Sequence, residues 1–329
     1  MFTEQSLRDH PSLVKAFMGI TAEEFWELIE QISTQLPSHL QQCRQRPDRQ
    51  RAIGGGRKYD LSLPIRTALV LTYMRLHIPQ TTVAALFGAT QSDVSRDLRR
   101  LLPLIQLCLP CPVVWEVVAE QQPVPSDSCL SLDQIADGRV LIDATEQRVS
   151  RPQDRTQHKA YYSGKKRAFT LKTQVVSDGE HYIDAISVAV PGAEHDKSLS
   201  DRLQTLSRLP DGCEADADKG YQGLAGQVEL VSVSDGATGR RELVPRLKVQ
   251  TPFKKPKGQE LTDEQKAFNR LLSTIRIRIE HCIGWIKNWA ILANRFRCNH
   301  TIYTSILRTI CGFVNAQTRR WQAAKANCA

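Results

Sequence analysis

The chain has 329 residues, 41% hydrophobic and 24% charged, and its 44 Lys and Arg outnumber 35 Asp and Glu for a formal charge of +9. These proportions exclude wholesale disorder, leave apolar mass for two or three domains, and favour a phosphate-bearing partner. No run approaches the roughly 18 apolar residues of a membrane span, and the start MFTEQSLRDHPSLVKAF lacks the charge-then-apolar order of a secretory signal, so a cytoplasmic protein is expected.

Residues 1–42 read as a helical arm for packing or dimerisation: Thr21 and Glu24 form a capping box, and Phe25, Trp26, Ile29 and Ile32 recur at helical spacing. Residues 43–58 (CRQRPDRQRAIGGGRK) are a basic linker broken by three glycines, suited to tethering or to phosphate contact.

Residues 59–107 predict three helices. Leu61, Ile65, Leu69, Thr72 and Leu76 mark the first; QTTVAALF followed by Gly88 gives a short second; Thr90, with Asp93 as its box partner, caps a third in which Pro103 is a candidate break. Short helix, glycine turn and capped helix is a helix-turn-helix pattern. On the third helix Val94, Leu98, Leu101 and Ile105 share one face, while Ser92, Arg96, Arg99 and Arg100 lie elsewhere and are the candidate DNA contacts. Residues 108–138, rich in proline, read as a linker around a short WEVVAE helix. Cys108 and Cys111 form a CxxC without a second ligand pair at zinc spacing, so the nine cysteines read as reduced thiols.

From residue 139 to 300 the texture becomes mixed α/β. VLIDATEQ, AFTLKTQVVSD and HYIDAISVAV read as strands, DKSLSDRLQTL as a helix and CEADADKGY as the end of a fourth strand. From about Thr262 to Leu292, Phe268, Leu271, Leu272, Ile275, Ile279, Ile283 and Ile286 keep a helical period, which outweighs a strand reading of STIRIRIE. Residues 301–329 form a C-terminal helix. Basic candidates for phosphate contact are spread through this part, among them Lys165, Lys166, Arg167, Lys172, Lys254 and Lys255.

Five ordered motifs, LIDATEQRVSRP, YYSGKKRAFTLKTQVV, VPGAEHDKSL, ADKGYQG and LTDEQKAFNRLLSTIRIRIEHCIGWIKNW, resemble the DDE superfamily endonucleases of bacterial insertion sequences, in their Harbinger-like group. The resemblance implies a ribonuclease H-like mixed sheet preceded by an all-α helix-turn-helix domain. It carries the catalytic, metal-holding acids onto Asp143, Asp218 and Glu280, with Asp143 bridging two Mg²⁺ (or Mn²⁺) ions and His195 and Asp196 supporting from behind. Asp216 shares a strand face with Asp218 and is a rival for the second acid. Taken singly, Asp143 reads equally as a strand-end cap, Asp218 as a turn former and Glu280 as an ion-pair partner of Arg276.

The activity so implied is transposition: binding the terminal inverted repeats of its own element, metal-dependent 3′-end cleavage, and strand transfer into target DNA. The expected partner is double-stranded DNA, bound by a homodimer or higher oligomer in the nucleoid, with no membrane. The alternatives are a transposase-derived DNA-binding regulator without catalysis and a structure-specific nuclease on the same fold.

Overall fold

The computed structural model describes residues 1–44, 59–119, 122–234 and 241–327; most of the basic segment expected at 43–58 lies outside them. Along the chain come α1 (Glu4–Asp9), α2 (Pro11–Met18), α3 (Ala22–Arg44), α4 (Leu63–Leu76), α5 (Gln80–Phe87) and α6 (Gln91–Leu107), followed by β1 (Val113–Trp115) and β2 (Arg139–Arg148). Next are α7 (His158–Tyr161), β3 (Tyr162–Ser163), β4 (Ala168–Asp178), β5 (Ile183–Ser187), β6 (Val190–Pro191), α8 (Asp196–Arg202) and β7 (Glu214–Ala217). The last are β8 (Leu230–Ser234), β9 (Arg241–Pro245), β10 (Lys248–Gln250), α9 (Asp263–Lys287), α10 (Ala290–Ala293) and α11 (Tyr303–Ala326). Two compact units result, one of Met1–Cys111 with Ile286–Phe313, the other of Pro112–Trp285 with Val314–Ala329.

The first unit is helical and is built around α4. Every residue from Ile65 to Met74 is buried, because α2, α3, α5, α6 and α10 all pack against it. This leaves Arg66 inside, where it is neutralised by a two-pronged bond to Asp97 of α6 (Nε to Oδ2 2.9 Å, Nη2 to Oδ1 2.5 Å) under the ring of Tyr59. Losing either partner would strand a buried charge, at a cost of about 3–5 kcal/mol.

Thr21 and Glu24 form the expected box at the start of α3, as Thr90 and Asp93 do at α6; such a cap contributes about 1 kcal/mol. Gly88 closes α5 at φ 65°, a left-handed conformation that glycine adopts without penalty. Pro103 does not end α6, which runs on to Leu107. Residues 286–313 pack with this unit, although the sequence joins them to the catalytic part and the C-terminal helix: Gln106 bonds Ser305 and Thr309, and the Tyr73 hydroxyl lies 3.1 Å from Cys298 Sγ.

The second unit holds a mixed sheet in the order β1-β5-β4-β2-β7-β10, with β3 and β6 paired to β4, and a separate β8–β9 hairpin. β4 runs antiparallel to β2 and β5, whereas β7 is parallel to β2 and β10. Alternation along the strands turns Val140, Ile142, Val176, Ala215 and Ala217 into a core covered by Leu199 and Leu203.

Two expectations change here. The described part of WEVVAE, residues 115–119, is not helical; Val113, Val114 and Trp115 instead add a parallel edge strand to β5. The β-branched pair suits a pleated surface, and Trp115 is fully buried, with Nε1 donating to the Ser128 carbonyl at 2.8 Å. The long helix stops at Lys287 rather than Leu292, because Trp289 turns extended before α10 begins. STIRIRIE is helical, with Ile279 buried and Ile277 half exposed. No helix among the described residues is long and apolar enough to cross a membrane.

Candidate active site

The site begins with strand register. In the parallel pair of β2 and β7, Ile142 stands opposite Ala217, so the next residues, Asp143 and Asp218, emerge side by side from neighbouring strands. Ile142 and Ala217 point into the core, and the two acids therefore point to the opposite face.

Helix α9 brings Arg276 between them. Its Nη1 donates to Asp218 Oδ1 at 3.0 Å, and Nη2 lies 3.6 Å from Asp143 Oδ2. The sequence offered Arg276 as a partner of Glu280; the structure commits it to the two aspartates. Burial pushes the Asp143 carboxyl up to about 6, against the pull of the Ala144 N–H and Arg276, and nearby Asp218 and Asp196 raise it further.

Behind this group sits a second ion pair. Asp196, first residue of α8, accepts from Lys172 Nζ at 2.7 Å, and Lys172 also donates to the Glu194 carbonyl. The turn after Asp218 presses on it so closely that a Cβ on Gly220 would lie 2.5 Å from Asp196 Oδ2. Tyr221, in the same turn, is fully buried, and its hydroxyl has no partner although Asp143, Asp196 and Asp218 are near enough to raise its pKa. An orphaned buried hydroxyl near three carboxylates is unusual in a folded protein.

Asp216 is elsewhere. Its side chain is fully buried on the sheet and paired with Arg139 at 2.5 Å; Arg139 also binds Glu214. Glu280 is exposed on α9. Four residues beyond Arg276, it lies about 40° further round the helix, on the same flank.

Hard oxygen donors suit a divalent cation, and Asp143 and Asp218 supply them, with the Arg276 guanidinium as the cation now placed against both. Among the described residues no group of three or more His, Cys, Asp and Glu is yet gathered around one point.

The sequence profile described as DDE superfamily endonuclease matches residues 142–315, just over half of the chain and the whole of this site. The chain belongs to the DDE superfamily endonucleases. It is similar to the "Probable transposase for insertion sequence element IS702" of Microchaete diplosiphon, 26% identical over 79% of this chain and 82% of that one. It is also similar to the "Putative transposase for insertion sequence element IS112" of Streptomyces albus G, 23% identical over 86% of each. A DDE endonuclease acts on DNA with divalent metal ions, in keeping with the acids found here.

The DDE endonuclease chain carries its basic candidates in three places. On α6, Ser92, Arg96, Arg99 and Arg100 are exposed; Arg96 bonds Asp93, Arg99 bonds Ser95, and Arg100 reaches the Tyr59 hydroxyl. Lys165, Lys166 and Arg167 form an exposed turn between β3 and β4, and Lys254 and Lys255 are exposed ahead of α9, where Lys255 pairs with Glu260. Lys172 departs from this group: it is 6% exposed and engaged by Asp196, so it belongs to the interior of the site rather than to a phosphate-facing surface. His195 is exposed at the cap position of α8.

Sequence reasoning missed Arg276 and Tyr221 as members of the site. The tyrosine had a signal in its KGY motif. Arg276 had one in its place on the α9 stripe between Leu272 and Ile279, where a buried cation requires a partner.

Proposed function

We propose that this protein is a DNA transposase in which Asp143, Asp218 and Glu280 hold two divalent ions, Mg²⁺ or Mn²⁺, for 3′-end cleavage and strand transfer. The observation that carries this reading is that Asp143, within β2, and Asp218, just after β7, emerge side by side from neighbouring parallel strands and share one guanidinium. We further read the mixed sheet as ribonuclease H-like and α4 to α6 as a helix-turn-helix whose third helix recognises the terminal inverted repeats, the chain acting as a homodimer or higher oligomer in the bacterial nucleoid.

Each side chain has a task in this reading. When bound, the ions activate the attacking oxygen and neutralise the leaving one. Asp143 must be ionised to serve as a ligand, and Arg276 opposes the burial that favours its protonated form. Glu280, exposed and on the flank of Arg276, is free to turn toward the aspartates. Lys172 holds Asp196 in place behind them, and the Lys165 to Arg167 turn offers positive charge to the DNA backbone. His195, next to Asp196, supports the site from behind.

The test is incubation with Mg²⁺ and labelled DNA bearing the element's own ends. Strand-transfer products that vanish in Asp143→Asn, Asp218→Asn and Glu280→Gln, with DNA binding retained, are expected. Cleavage without joining would point to a structure-specific nuclease. Binding without cleavage by the wild-type protein would point to a regulator.

A further inference from the structure

Beside α6 lies a feature that the sequence assigned to no function. The segment from Asn294 to Asn299 leaves α10 as non-helical chain, with a bridge residue at Phe296 and bends at Asn294 and Cys298. Two anchors hold it: buried Phe296, 1% exposed and packed edge-on to Tyr303 with centroids 5.2 Å apart, and half-buried Cys298, whose sulfur meets the Tyr73 hydroxyl. Alternation then turns Arg295, Arg297 and Asn299 outward, and all three are exposed.

Two adjoining cavities flank this segment. One, of about 520 Å³, is lined by Gln80, Gln91, Ser95 and Arg99 on one side and by Arg297 and Asn299 on the other. The next, of about 420 Å³, is lined by His77, Arg295 and Arg297. Neither wall contains an Asp or Glu. Arg297 is held by the His77 carbonyl, Arg295 makes no hydrogen bond or ion pair among the described residues, and Arg99 bonds only to Ser95 of its own helix. The His77 ring is 3% exposed, with neither nitrogen bonded, so a buried hydrogen-bonding group lines the second cavity without a partner. Uncompensated arginines and an unused donor form a receptor for anionic oxygens, and the pair abuts the exposed face of α6.

We propose that residues 294–299 form a second DNA-contacting arm, which grips the sugar-phosphate backbone next to the groove that α6 reads. The inference rests on α6 being the groove-reading helix. A phosphate-gripping arm adds affinity without sequence preference, because each neutralised phosphate releases counterions and steepens the dependence of log K on log salt by about 0.9.

The experiment measures fluorescence anisotropy of the full chain with a terminal-repeat duplex and a scrambled duplex across a salt series. Arg295→Gln with Arg297→Gln is expected to weaken both duplexes alike, by several-fold or more, and to make the slope shallower by about 2. Arg295→Gln alone, which breaks no internal bond, should lower the slope by about 1. Wild-type affinity and slope in both variants would overturn the arm, as would a loss confined to the terminal-repeat duplex. Arg96→Ala with Arg99→Ala separates the two readings. Loss of sequence preference there, with an inert arm variant, rejects only the arm; an inert α6 variant with a weakened arm variant rejects only the recognition helix.

Discussion

Arg276 stands 3.0 Å from Asp218 and 3.6 Å from Asp143, so one guanidinium supplies the positive charge that two adjacent carboxylates require. Its Nε is buried and unbonded, which leaves the arginine less than fully satisfied in this position. Arg276→Gln should therefore destabilise the chelator-treated protein by about 2–3 kcal/mol, less than a fully buried pair would lose because Asp218 is about one-third exposed. Manganese should then restore more stability to the variant than to the wild type, since the guanidinium no longer competes with it. Melting curves with and without Mn²⁺ provide the check; equal metal-induced shifts in the two proteins would refute the competition.

Asp216 and Asp218 should separate by phenotype. Asp216→Ala leaves Arg139 partly buried beside Glu214 alone and should cost about 3 kcal/mol in urea unfolding, while the folded fraction still cuts DNA. Asp218→Ala should do the reverse. If Asp216→Ala is stable but inert in cleavage, the second acid is Asp216.

Burial first, and then the nearby Asp178, pushes the Asp184 carboxyl up to about 8. The folded chain keeps this proton up to about pH 8, whereas the unfolded chain releases it near pH 4. Unfolding in that window releases a proton, so this group makes stability fall as pH rises, by about 1.4 kcal/mol per pH unit. Asp184→Asn should flatten that slope and exceed the wild type in stability at pH 8. Urea titrations at pH 5 and pH 8 decide it: parallel pH dependence in both proteins would mean that Asp184 ionises normally.

Gly220→Ala tests the coupling behind the site. A Cβ there would collide with Asp196 Oδ2 and force it off Lys172, since overpacking of this kind costs about 1–3 kcal/mol unless something moves. Cleavage should slow at least tenfold with DNA affinity unchanged. A wild-type cleavage rate would show that Asp196 can shift without consequence.

The helices and strands were legible because their signals are local. Thr21 with Glu24 and Thr90 with Asp93 announce their own helix starts, and the period through Ile275, Ile279 and Ile286 survives the strand-like look of STIRIRIE. Asp143 and Asp218 could be named because their motifs are distinctive. What sequence could not supply is the partner of a buried charge. Arg66 with Asp97, Lys172 with Asp196 and Arg276 with two aspartates are all paired across the fold, and a lysine or arginine in a row of letters looks solvent-facing until its burial is known. Val113 to Trp115 escaped for a related reason: a three-residue edge strand exists only through β5, far ahead in the chain.

The helical unit is completed by residues synthesised late, 286–313. Ile291, Leu292 and Phe296 are buried in it, Arg75 donates to the Asn288 carbonyl, and Trp289 stacks on Phe313 at 5.3 Å. On the ribosome, α4 and α6 must therefore wait with part of their apolar surface uncovered until the intervening sheet has been made. A fragment ending near residue 107 would be trapped in that waiting state and should aggregate, whereas joining residues 1–111 to 286–313 through a short linker restores the missing wall. A chain truncated before residue 286 therefore lacks the wall that its own helical unit needs to fold.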